Sequence, residues 1–330
     1  MSRPSAQDRI RGGANVRRSW GWVLAGLVAW GSQAQAAEIF EKVGTFDGQF
    51  LKIPIGARAE GMGGAFVAVA DDASAVFWNP AGIARLEDDK TEIAAHVATW
   101  PADLKFYQGT VVFHVKGLPG AVALHARSLS MSQETERTSF RPDGTGLTFD
   151  AGYSSFGPTY ARSLTDKFTV GVNANLVQLG LAEFKENTVT FDLGTLYDVG
   201  TLGMKIGMGI QNIGSQVQFI EREARIPAVF RVGTSFQIMQ SAQHHLIGSF
   251  EFSHPPDNSE RANVGAEYGY KDFLFLRGGY NVNYDAEGMA AGAGVHFPVS
   301  TLHTAANLDY AFTDMKDLGE VHRLSLRLRF

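Results

Sequence analysis

"VHRLSLRLRF", Val321 to Phe330, alternates without a break: Leu324, Leu326, Leu328 and Phe330 fall on one face, Arg323, Ser325, Arg327 and Arg329 on the other. A period of two is a β-strand, because successive side chains point to opposite faces. In a soluble sheet the arginine face would meet bulk water. In a transmembrane barrel the leucines meet lipid and the arginines line a wet lumen.

Working back along the chain, the same alternation recurs. Phe168, Val170, Val172, Ala174 and Leu176 bracket Thr169, Gly171, Asn173 and Asn175, and Met204, Ile206, Met208 and Ile210 bracket Lys205, Gly207 and Gly209. The polar faces are rich in Gly, Asn and paired charges. About 14 strands follow, starting near Thr91, Phe106, Ala121, Thr148, Phe168, Thr188, Gly203, Ala228, His244, Arg261, Phe273, Gly288, His303 and Val321. The fourth is interrupted by Phe156, Gly157 and Pro158, and proline donates nothing to a ladder.

The connections separate barrel from sandwich. Outer-membrane barrels carry short turns at one end and longer loops at the other. Connections after even strands are short (116–120, 164–167, 198–202, 240–243, 271–272, 298–301), and those after odd strands include 131–146, 214–227, 254–260, 281–288 and 313–320. An even strand count puts both termini on the short-turn, periplasmic side. The expected fold is therefore all-β: an antiparallel transmembrane barrel of residues 90–330, in contact with outer-membrane lipid.

The N-terminus reads as a secretory leader, residues 1–36. Arg9, Arg11, Arg17 and Arg18 precede the apolar run Trp20–Gly31, and Ala34 and Ala36 frame a cleavage point after Ala36. The run is too short for the roughly 20 residues of a spanning helix. The 330-residue chain has no cysteine, which removes disulfides and thiol chemistry, and its formal charge of −5 suggests no nucleic-acid partner.

Residues 37–89 do not alternate. "ARAEGMGGAFVAVADDASAVFWNPAG", Ala57 to Gly82, is small, apolar and glycine-dotted. A barrel of about 14 strands is wider than its own side chains can fill, and this stretch is suited to plug it. Its close-packing and capping residues are Gly61, Gly63, Gly64, Phe66, Asp71, Asp72, Trp78, Asn79 and Pro80, with Asp71, Asp72 and Ser74 capping a turn that Pro80 then breaks. Phe66, Val67, Val76, Phe77 and Trp78 make it too apolar for a disordered linker.

That segment, with its "GMGGAFVA" core, acidic pair and terminal "WNPAG", resembles the N-terminal hatch of the PorV/PorQ group within the FadL-like outer-membrane barrels. "YARSLTDKFTVGVNANLV" (160–177), "IPAVFRVGTSF" (226–236), "FLRGGYN" (275–281) and the C-terminal strand resemble later parts of the same group, so the likeness covers nearly the whole mature chain. It implies a 14-stranded barrel closed by a hatch. Leu324, Leu326, Leu328 and Phe330 look like the signal read by the barrel-assembly machinery. PorV-like members serve protein secretion of the type IX kind, binding a translocon and cargo. FadL-like members pass long-chain fatty acids and other hydrophobic small molecules.

No catalytic constellation stands out. There is no GxSxG elbow, His244 and His245 would point to opposite faces of a strand, and "GMGGAF" lacks a βαβ context. "LEDDK" (86–90) reads as a solvated turn. No enzyme, metal or cofactor is expected. The expected role is a secretion accessory with partner-binding regions Met131–Gly146 and Gly214–Pro227. The alternative is a hydrophobic-solute transporter whose wall opens at Phe156–Pro158.

Overall fold

A computed structural model describes residues 45–86, 90–219, 222–299 and 304–330. The leader, its cleavage point and part of the 86–90 run lie outside these residues. The barrel strands are β1 (Glu92–Trp100), β2 (Leu104–Phe113), β3 (Ala121–Ser130), β4 (Ala151–Ser163), β5 (Phe168–Leu181), β6 (Phe184–Asp198), β7 (Lys205–Gly214), β8 (Val229–Gln240), β9 (His244–His254), β10 (Arg261–Tyr270), β11 (Leu274–Val282), β12 (Met289–Val299), β13 (Thr304–Asp314) and β14 (Glu320–Arg329). Each pairs antiparallel with its sequence neighbours, and β1 pairs with β14 (Glu92 opposite Arg329), closing a 14-stranded barrel.

Burial is inverted relative to a soluble protein. In β14, Leu324 and Leu326 are 49% and 43% exposed, whereas Arg323 and Arg327 are 2% and 6% exposed. The outside is apolar along every well-alternating strand, including Val97, Leu124, Phe191, Leu276 and Tyr310. An apolar exterior around a charged interior suits hydrocarbon, not water, as the surrounding solvent.

Residues 45–86 run through the lumen as short turns: Gln49–Lys52, Ala57–Gly61, Ala73–Phe77 and Pro80–Arg85. Their apolar residues build the interior core. Met62, Phe66, Val76, Trp78 and Ile83 pack against Ala94, Ala121, Ala123 and Ala161 of the wall. The interior is thus packed by the segment that the sequence offers as a plug.

Three sequence expectations change in detail. Thr148 does not begin the fourth barrel strand. It pairs with Thr135 in a small separate ribbon, and β4 starts at Ala151. The Ala73–Phe77 turn stops short of Pro80, which also opens the next turn, at the first position after the Asn79 cap, because its missing N–H is unneeded there. The loop asymmetry is concentrated in 131–150 and 215–228, while the odd-side connections 101–103 and 182–183 are as tight as any.

Candidate functional site

At the end opposite the barrel's first and last residues, beneath the connections that follow odd strands, lies a cavity of about 620 Å³. One wall is apolar: Phe50, Ile53 and Pro54 from the inner segment, with Trp100, Leu104, Leu129 and Tyr153 from β1–β4. Phe50 stacks on Tyr153 at 5.6 Å. The other wall carries Lys52, Asp257, Asn258, Arg261, Asp285 and Glu287. The volume falls in the range of small-molecule sites, and the mixture of a broad apolar surface with a few polar groups is typical of them.

Charge anchors hold the cavity's rim. Lys52 Nζ lies 2.7 Å from Asp257 Oδ2, and Gln49 Nε2 donates to the same oxygen at 2.8 Å. Burial pushes the Asp257 carboxyl up, but the Lys52 and Gln49 bonds outweigh it and hold Asp257 below the usual carboxylate range. The Asp47 N–H donates to the Arg225 carbonyl at 2.9 Å, tying the 215–228 connection to the segment. Arg127 forms part of the floor: it donates to the Leu51 carbonyl at 3.0 Å and stacks between Phe50 and Phe77.

Below the floor the segment is tied to the wall by buried ion pairs. Asp72 caps Ala73–Phe77 by accepting the Ser74 N–H, and its other oxygen takes bonds from Arg58 and Arg327, each 2.9 Å. Those contacts belong to a closed ring. Arg327 also reaches Asp309 (3.2 Å), Asp309 meets Arg277 (2.7 Å), Arg277 meets Glu267 (2.6 Å), and Glu267 grips Arg58 through two bonds of 2.9 Å. Three guanidiniums thus alternate with three carboxylates, two members from the segment and four from β10, β11, β13 and β14. Burial raises the Asp72 carboxyl, yet Arg327 and Arg58 overcome it and hold it far below its ordinary value. Further wall groups bind the segment's backbone. Glu251 accepts the N–H groups of Phe66 and Val67, Glu92 accepts that of Ala73, and Asn263 donates to the Gly63 carbonyl.

The glycines explain how the backbone comes so close. A Cβ at Gly171 would overlap Pro80 and Ala81, at Gly207 Val67, at Gly265 Met62, and at Gly279 Met62 and Gly63. Lumen-face glycines are the grooves into which the segment settles. Gly63 and Gly64 themselves have φ of 62° and 71°, a left-handed backbone that favours glycine.

The sequence-derived residues fall as follows. Gly61, Gly63 and Gly64 press against the wall; Gly61 meets Arg277 and Gly292. Phe66 and Trp78 pack edge to face at 5.9 Å, and the Trp78 indole donates to the Ile55 carbonyl. Asn79 bonds the Val67 and Thr195 carbonyls, with Pro80 beside Gly194. Asp71 is partly exposed and, among the described residues, forms its one ion pair with Arg58. Leu324, Leu326 and Leu328 face outward, and Phe330 exchanges backbone bonds with Thr91. At Phe156–Pro158, β4 stays paired with β3 throughout, but its bridges to β5 lapse at Gly157 and Pro158 and resume in the same register at Thr159. The Ala174 carbonyl oxygen occupies the place a Gly157 side chain would take. The sequence reading had not singled out Glu251, Glu267, Arg277 or Asp309. The signal was their register, on the same strand faces as the lumen glycines.

Residues 26–113 match the Uncharacterised protein family (UPF0164), under a third of the chain, spanning the inner segment and β1–β2. No curated sequence matches the chain. Solved structures do. The CymD monoaromatic hydrocarbon channel aligns with TM-score 0.55 at 12% identity, covering 84% of this chain and 97% of that one. The Ralstonia pickettii toluene transporter TbuX aligns with TM-score 0.55 at 16% identity over 83% and 97%. A Pseudomonas aeruginosa FadL homologue aligns with TM-score 0.55 at 11% identity over 84% and 98%. At these identities the likeness establishes architecture: the chain has the closed 14-stranded barrel fold of the FadL-like outer-membrane proteins.

Proposed function

We propose that this protein is an outer-membrane channel for hydrophobic small molecules, held closed by the segment 45–86. The observation that carries the reading is the cavity of about 620 Å³ with its aromatic and aliphatic wall, built under the far-end connections and floored by the segment. Monoaromatic hydrocarbon and toluene are what the similar CymD and TbuX barrels carry by description, which supports the same class of solute here. The PorV/PorQ resemblance implied a secretion role with a translocon or cargo partner. The support falls instead on the solute, because the built feature is a pocket of small-molecule size with an apolar wall.

The reading has a physical sequence of steps. A hydrophobic solute leaves water for the Trp100, Leu104, Leu129 and Tyr153 wall, driven by removal of apolar surface from solvent. The charged opposite wall stays with the rim and its solvent. The ring of ion pairs below blocks straight passage, so the exit we propose is sideways. Gly157 lies two inward-facing positions along β4 from Tyr153, where bridges to β5 lapse. Arg127, Phe77 and His125 stand between, with Phe77 edge-on to His125 at 5.3 Å. Rotation of Arg127 off Phe50 and Phe77 would open that route. In the same reading the leader is cleaved after Ala36, the termini are periplasmic, and the C-terminal strand addresses the assembly machinery.

The test is uptake of radiolabelled toluene and oleate by cells carrying the protein or its Leu104→Asp variant. A carboxylate in the apolar wall is expected to cut uptake about tenfold or more. Uptake equal to wild type would remove the cavity from the transport route.

A further inference from the structure

At the barrel end that holds Arg329, the opposite end from the apolar cavity, lies a second cavity of about 560 Å³. It is bounded by the inner segment, the first residues of β7, β11 and β13, and the last of β12 and β14. Six cations line it. Four are committed: Arg58, Arg277 and Arg327 to the ring, and Arg329 to Glu92 at 2.7 Å. The other two, Arg85 and Lys205, have no ion pair within 4.0 Å among the described residues. Arg85 Nε is buried without a hydrogen-bond partner. Burial lowers the Arg85 guanidinium from its ordinary value, and Asp71 and Asp198 only partly offset that. Asp71 is already bound to Arg58, and Asp198 accepts the Gly200 N–H. Lys205 stands within reach of the Arg85 charge and of the same two carboxylates, Asp71 and Asp198, neither of which forms an ion pair with it.

Two like charges held together in a partly buried recess are costly unless a counter-charge sits between them. Arg85 offers a planar fork and Lys205 a point charge, a pairing that suits the oxygens of one anionic group. Phe275 and Ala305 are the chief apolar members of the lining, so the recess suits a head group and no alkyl chain. We infer that this cavity binds an oxyanion, a phosphate or carboxylate group, between Arg85 of the inner segment and Lys205 of the wall. Bound there, the anion latches the segment to β7. The inference stands apart from what the other cavity carries.

The experiment is thermal unfolding of the purified full chain in a non-ionic detergent. Inorganic phosphate, the short-chain lipid dihexanoyl phosphatidic acid, and decanoate are titrated separately against chloride at matched ionic strength. Binding to the folded state raises the midpoint by mass action. A saturable rise with phosphate identifies a free anion as ligand, and one seen only with the phosphatidic acid or decanoate identifies an amphiphile's head group. The Arg85→Gln/Lys205→Gln variant should weaken the apparent affinity about tenfold or more. Lys205→Met alone is the second variant should the pair not fold. No anion-specific rise in wild type, or an equal rise in the variants, overturns the site.

Discussion

Glu267 shows how much a single side chain holds here. It is buried, and it receives bonds from Arg58 of the segment and Arg277 of the wall. Removing one partner of a buried ion pair strands the others and costs about 3–5 kcal/mol. Glu267→Gln should lower stability by that order, measured by urea unfolding in lipid vesicles, and a change under about 1 kcal/mol would contradict the ring. Asp72 gives a pH test. A depressed folded-state pKa contributes stability that is fully present above the unfolded value and is lost only as pH falls through the folded value. The seal should therefore persist at about pH 4, near the ordinary carboxylate range, and a large rise in ion conductance there would count against it. At this scale the Asp72 cap was legible, because capping is local. The ring was not, since Arg58 and Glu267 stand 209 positions apart and only the closed register brings them together.

Among elements, the strands were the most legible, because two-residue alternation survives in nearly all of them. The exceptions have local causes. Thr148 sits in a ribbon whose own pairing imitates a strand start. The segment's turns were obscure in detail, since short turns have no period to read. Its role gives a direct prediction: deleting Ala57–Gly82 should raise single-channel conductance in planar bilayers, and a folded deletion variant with unchanged conductance would show that it is not the plug. The β4–β5 lapse gives another. Pro158→Ala returns the N–H that proline lacks and allows the ladder to close. Uptake of a hydrophobic solute should then slow severalfold, and unchanged uptake would rule out the lateral exit.

The molecule as a whole carries two cavities of different chemistry at its two ends. An apolar-walled cavity opens at one end, an arginine-rich one at the other, and the packed, ion-paired segment divides them. Along the well-alternating strands the exterior presents hydrocarbon-compatible side chains, while the ion-paired ring lies inside. The architecture was readable from alternation and from loop lengths. The contents of the two cavities were not, because they are assembled from strand ends that are distant in sequence. The central claim is that the far-end cavity holds a hydrophobic small molecule. Native mass spectrometry of the protein extracted from outer membranes in mild detergent tests it most directly. The account predicts a lone barrel carrying a bound apolar compound that is lost in Leu104→Asp. An empty barrel in stoichiometric complex with a large surface or translocon protein would contradict it and favour the secretion role.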